Sequence, residues 1–135
     1  MEKNYQKWSK IKSKIHNTTL PDSFHINPGE VWWCALGENI GIETDGKGQD
    51  YLRPVLVVKV FNKNHVWVSP LTTKTKKNRF TVEIKFFSQS SFVIISQLRT
   101  ISTLRLTRFI YKIDHRDFLR VNESLMESLK YETPP

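Results

Sequence analysis

The chain has 135 residues, enough for one domain that buries roughly two thirds of its unfolded surface and folds without metal or disulfide staples. A single cysteine excludes an internal disulfide and any C-x-x-C site, and four dispersed histidines give no metal-ligand spacing. A formal net charge of +8 favours an acidic partner such as nucleic acid, without identifying one.

Residues 3–15 fit a short amphipathic helix. Tyr5, Trp8, Ile11 and Ile15 recur at helical spacing, and lysines occupy most of the remaining positions. The start lacks the continuous apolar segment of a leader, and no run approaches the roughly 20 apolar residues of a spanning helix. The expectation is a cytoplasmic protein with no membrane partner. TTLPDSFHINPGE is turn-rich, broken by Pro21, Pro28 and Gly29. VWWCAL reads as a strand with Cys34 as a small buried hydrophobe. GENIGIETDGKGQDY reads as a loop, long for an ordinary hairpin and supplied with four glycines.

PVLVVKVF and HVWVSPL form a hairpin about an NKN turn, with Pro70 expected at the strand end. TKTKKNR is a basic loop, and FTVEIKF alternates with Phe80, Val82, Ile84 and Phe86 on one face. FVIISQLRTI is β-like and turns polar halfway. LRLTRFIYKI either continues the sheet or opens with a short helix. A last helix starts near Asp114, its cap, with Phe118, Val121, Leu125 and Leu129 as an apolar stripe. With no βαβ alternation, a small, strongly curved antiparallel sheet or barrel fits best.

Chemistry concentrates at the strand ends. Arg53 carries a permanent charge on forked donors suited to two phosphoryl oxygens, and Pro54 stiffens the backbone beside it. The other reading of Arg53 is a rim ion pair with Glu43 or Asp50. Thr72 and Thr73 are ordinary turn caps, or hydroxyl donors to a phosphate held by that arginine. Gln97 suits a base edge or a loop, and Arg99 a phosphate or plain solvation. Lys74, Lys76, Lys77 and Arg79 form either a phosphate-binding loop or a solvated hairpin tip. His25 and His65 are acid–base candidates by chemistry alone.

Taken in order, PGEVWWCAL, GIE, LRPVLVV, VSPLTT, SQLRTIS and RL resemble the PemK/MazF family of bacterial toxins over residues 28 to about 129. The resemblance implies a mainly β, SH3-like (PemK-like) barrel with a C-terminal helix, usually a homodimer. It also implies a metal-independent, cofactor-free endoribonuclease that cuts single-stranded RNA, often messenger RNA, and is neutralised by an antitoxin protein, here expected to be acidic. Carried over by motif, Arg53 and Thr72 are the catalytic pair and Glu43 a possible catalytic support. Gln97, Arg99 and Thr100 become substrate-binding candidates, with Lys74, Lys76, Lys77 and Arg79 as a basic track. The expected organisation is a basic, helical extension over 1–27, a toxin domain over 28–130 and a tail over 131–135. Ser96 and Ser102 depart from frequent aspartates, and the loop between Glu43 and Arg53 is longer than in compact members. Two alternatives stand beside the nuclease: a non-catalytic nucleic-acid-binding protein, and a relative acting by protein–protein interference.

Overall fold

In the computed structural model, residues 2–74 and 78–135 are described. Among these residues, two helices flank seven strands. Helix α1 spans Tyr5–His16, and strands β1 to β7 span Glu30–Ala35, Leu52–Asn62, His65–Thr72, Thr81–Phe86, Gln89–Ile94, Arg99–Ser102 and Leu106–Lys112. Helix α2 spans His115–Leu129, and short 3-10 turns precede β6 and β7. The segment LRLTRFIYKI therefore resolves into one such turn followed by sheet.

All pairings are antiparallel, in the order β4-β5-β3-β2-β1-β7, with β6 branching from β3. The expected barrel is not closed: among the described residues no strand pair joins β4 or β6 to β7. The reason lies at the β4 edge, where side chains take the place of a closing strand. The Lys85 N–H donates to Asp117 Oδ2 of α2 at 3.1 Å, and the Lys85 carbonyl accepts from the Tyr111 hydroxyl of β7. The Glu83 carbonyl accepts from Arg120 of α2 at 2.9 Å. With these edge groups satisfied, strand closure is not needed to avoid an open edge.

Strand β2 is buried on both faces, which explains its continuous apolar run. Val55 and Val57 pack with Cys34, Val66 and Val68, whereas Leu56 and Val58 pack with Val31, Val93 and Val121. The second cluster is covered by α2, capped by Asp114 accepting from the Arg116 N–H at 2.8 Å. Val121 and Leu125 supply its buried stripe, but Leu129, expected on that stripe, is 78% exposed.

Pro70 lies inside β3, not at its end. It falls where the outer edge of β3 changes partner: Val68 is the last residue paired with β6, and Leu71 the first paired with β5. A missing N–H is tolerated at such an interruption. Helix α1 docks separately, burying Trp8 against Ala35 and Tyr51. No helix among the described residues is long and apolar enough to cross a membrane.

Candidate functional site

Arg53 enters β2 beside Pro54, paired in register with Cys34 of β1. Its side chain is partly buried and makes two fixed hydrogen bonds. Nε donates to the Asp45 carbonyl at 2.7 Å, and NH1 donates to the Leu71 carbonyl at 3.1 Å. Neither Glu43 nor Asp50 is its partner. Burial lowers the guanidinium pKa from its ordinary value, and the Asp45 charge opposes that shift. Two of the five N–H donors are thus used to orient the group, leaving three without a partner among the described residues.

The bond to Leu71 brings Arg53 next to Thr72 at the end of β3. The Thr72 hydroxyl oxygen accepts from the Lys74 N–H at 3.2 Å, which leaves its own proton to donate. The Thr72 carbonyl accepts from the buried Ser91 hydroxyl at 3.2 Å. Arg53 and Thr72 line two grooves together. The larger, about 860 Å³, is walled by Trp33, Leu52, Phe86 and Arg108. The smaller, about 350 Å³, includes Asp45, Lys47 and Lys74. Arg53 and Thr72 therefore border a shared, open space lined by apolar side chains and by lysines.

The remaining candidates are placed elsewhere. Glu43, Gln97 and Arg99 line a separate cleft of about 320 Å³. Glu43 Oε1 accepts from the Ile40 N–H at 2.9 Å, closing a turn of its own loop. Gln97 Oε1 accepts from the Thr44 N–H at 3.1 Å, and Nε2 donates to the Ile42 carbonyl at 3.0 Å. Gln97 is therefore a clamp on the 37–51 loop. Thr100 is exposed in β6 opposite Trp67 of β3. Arg79 is engaged with Glu132 at 3.0 Å and lies over the Phe80 ring. Lys76 and Lys77 lie outside the described residues. His65 stacks on Phe61 at the far end of the β2–β3 hairpin, away from Arg53.

Cys34 is fully buried, and burial pushes its thiol pKa up to about 12, so it carries no thiolate at neutral pH. Among the described residues no group of three His, Cys, Asp or Glu is arranged to hold a metal ion.

Sequence reasoning passed over Asp45, whose backbone holds Arg53, because a carbonyl leaves no residue-type signal. It also passed over Arg105, half-buried, with NH1 donating to the Ala35 carbonyl at 2.9 Å and the guanidinium over Trp8. Only the RL pair pointed toward it.

Compared with known families, residues 27–129 match the PemK-like, MazF-like toxins of type II toxin–antitoxin systems. The chain belongs to this family. A curated relative, endoribonuclease EndoA of Bacillus subtilis (strain 168), is 27% identical over 114 residues, covering 77% of this chain and 94% of EndoA. The same fold occurs in MazF from Deinococcus radiodurans, with a TM-score of 0.67 and 18% identity over 79% of this chain and 98% of that one. An endoribonuclease from a mycobacterial species, solved in complex with its cognate antitoxin, gives a TM-score of 0.63 and 17% identity, covering 82% of this chain and all of that one. Helix α1 lies before the first residue of the family match.

Proposed function

We propose that this PemK/MazF-like toxin is an endoribonuclease that cuts single-stranded RNA, messenger RNA foremost, at selected sequences in the cytoplasm. The observation that carries the reading is Arg53 itself. Its guanidinium is fixed by two backbone carbonyls, keeps three donors free, and opens beside the Thr72 hydroxyl into a shared groove. EndoA, an endoribonuclease, supports the reaction class.

The 2′-hydroxyl of the substrate is the nucleophile. It attacks the adjacent phosphorus as its proton passes to solvent water, and the expelled 5′-oxygen takes a proton from water, leaving a 2′,3′-cyclic phosphate and a 5′-hydroxyl. Because the attacking oxygen is already tethered, the protein's task is alignment and stabilisation of charge on the pentacoordinate phosphorane. Arg53 binds the non-bridging oxygens with its free N–H groups, and Thr72 donates a further hydrogen bond. Arg53 is too basic to take the proton from the nucleophile. Lys47, Lys74 and Arg108 around the grooves supply electrostatic hold on neighbouring phosphates. The apolar wall of Trp33 and Phe86 suits a splayed base.

We further assign a homodimer as the working form and an acidic antitoxin protein as the inhibitor. The net charge of +8 favours such a partner, and a related endoribonuclease has been solved with its cognate antitoxin. The test is cleavage of a mapped RNA in excess EDTA, repeated with a single 2′-deoxy nucleotide at the cut. The expected result is cutting in EDTA, cyclic-phosphate ends, and complete loss at the deoxy position. Cutting that persists through the 2′-deoxy site would overturn the mechanism.

A further inference from the structure

The N-terminal segment lies outside the family match, yet its contacts converge on the loop that holds Arg53. Asp45 is the hub. Its carbonyl accepts from Arg53 Nε, its Oδ1 accepts from the Asn39 N–H at 2.5 Å, and its Oδ2 pairs with Lys3 Nζ at 2.7 Å. Lys3 Nζ also donates to the Asn39 carbonyl at 2.6 Å, and the Tyr5 hydroxyl donates to the same carbonyl at 3.0 Å. Asn39 in turn donates through Nδ2 to the Leu36 and Thr44 carbonyls, at 3.1 and 2.9 Å. One short segment thus closes the loop across its mouth.

Trp8 secures the base of the same loop. A Cβ at Gly37 would lie 2.1 Å from the Trp8 ring, and Gly37 has a φ of +83°, so glycine is required there twice over. Trp8 also meets Tyr51 edge-on, ring centres 5.5 Å apart. Tyr51 is itself buried with a φ of +55°, a left-handed conformation that a bulky residue holds only when its surroundings fix it. The hydrogen bond to Asp45 raises the Lys3 pKa, so the ammonium stays charged through the neutral range.

We propose that Lys3, Tyr5 and Trp8 are positioning residues for Arg53: they brace the 37–51 loop so that the Asp45 carbonyl aims the guanidinium into the groove shared with Thr72. The inference rests on Arg53 as the catalytic arginine. In physical terms, the segment from Lys3 through the start of α1 supports the active site without touching the substrate. Its role is to hold a long, glycine-containing loop in the one arrangement that presents three free N–H donors to a phosphate. Misplacing a reacting group by about 1 Å costs on the order of a hundredfold in rate, and partial loosening should cost about tenfold.

The experiment uses the full chain and two readouts. The first is solvent exchange of the Arg53 Nε–H resonance, assigned by its loss in Arg53→Lys. The second is kcat and KM on a cleaved RNA. Lys3→Ala truncates a partly buried side chain and Tyr5→Phe an exposed one; both leave the Trp8 seat intact, and thermal melting checks that each variant is folded. Lys3→Ala is expected to speed Nε–H exchange about tenfold and to lower kcat by a similar factor while KM stays within about twofold. Lys3→Arg, which keeps both the charge and the donors to Asp45 and the Asn39 carbonyl, should recover most of both. Unchanged Nε–H exchange in Lys3→Ala combined with Tyr5→Phe would overturn the brace. Faster exchange with unchanged kcat would overturn its bearing on chemistry. If the wild-type protein cut no RNA, the nuclease reading would fall while the exchange measurement still decided whether the segment holds Arg53.

Discussion

Replacing Gln97 with alanine separates two roles for a residue that the sequence placed with the substrate contacts. In the structure its amide joins residues 53 and 55 positions away, accepting from the Thr44 N–H and donating to the Ile42 carbonyl. Each such bond contributes about 1 kcal/mol net, and partial exposure of the pair brings the sum to about 1–1.5 kcal/mol. For a chain of this length that is a melting-temperature loss of about 5 °C. Because the loop carries Asp45, release should also lower kcat several-fold through Arg53, with RNA affinity little changed. Gln97→Glu keeps the acceptor for Thr44 but sets a carboxylate against the Ile42 carbonyl, so it should be no milder than alanine. The assays are thermal melting followed by circular dichroism, and single-turnover cleavage against RNA concentration. An unchanged melting temperature with weakened RNA binding would refute the clamp and restore Gln97 as a reader of the substrate.

Three further outcomes follow from the same contacts. Arg53→Lys retains the charge but cannot reproduce both carbonyl bonds and a free fork; it should lose about a hundredfold in cleavage rate and about 1–2 kcal/mol of stability, read by cleavage kinetics and urea titration. Ser69 is fully buried in β3, and its hydroxyl has no hydrogen-bond partner among the described residues; Ser69→Ala should raise stability by about 1 kcal/mol in urea titration, and a loss instead would show that the hydroxyl is satisfied. Burial, and secondarily the Asp117 charge, pushes the Tyr111 phenol up to about 12. A raised pKa gives a contribution fully present below the unfolded phenol's value of about 10 and lost as pH rises through about 12. The stability gap between wild type and Tyr111→Phe should therefore shrink across that window, and a constant gap would contradict the assignment.

The elements written in local periodicity were legible. The Tyr5, Trp8, Ile11 spacing marked α1, Asp114 marked the start of α2, and the NKN turn marked the β2–β3 hairpin. Closure of the sheet was not, because it depends on whether β4 meets a strand or a set of side chains. Here Asp117, Arg120 and Tyr111 occupy that edge, from residues 26 or more positions distant in sequence. Leu129 continued the helical stripe on paper, yet it is the last residue of the helix and stands in solvent. Pro70 read as a terminator because a partner change along one strand edge has no sequence mark.

The site divides in the same way. Arg53 and Thr72 were identifiable as residue types at strand ends, and the hairpin register does bring those ends together through the Leu71 carbonyl. What orients Arg53 was hidden, since two backbone carbonyls hold it where the alternative reading offered a carboxylate. The links from Lys3 to Asp45 and from Trp8 to Gly37 join an extension to a loop tens of residues away, with no pattern to announce them.

The defining property of the proposed site is the joint action of Arg53 and Thr72 on RNA. Its most direct measurement is the rate of cleavage of a single-stranded RNA in excess EDTA by wild type, Arg53→Ala and Thr72→Ala, with every cut mapped and its ends analysed. The expected outcome is discrete cuts bearing 5′-hydroxyl and 2′,3′-cyclic phosphate ends, slowed about a hundredfold or more in each variant while both remain folded. Cuts of undiminished rate in both variants would contradict it.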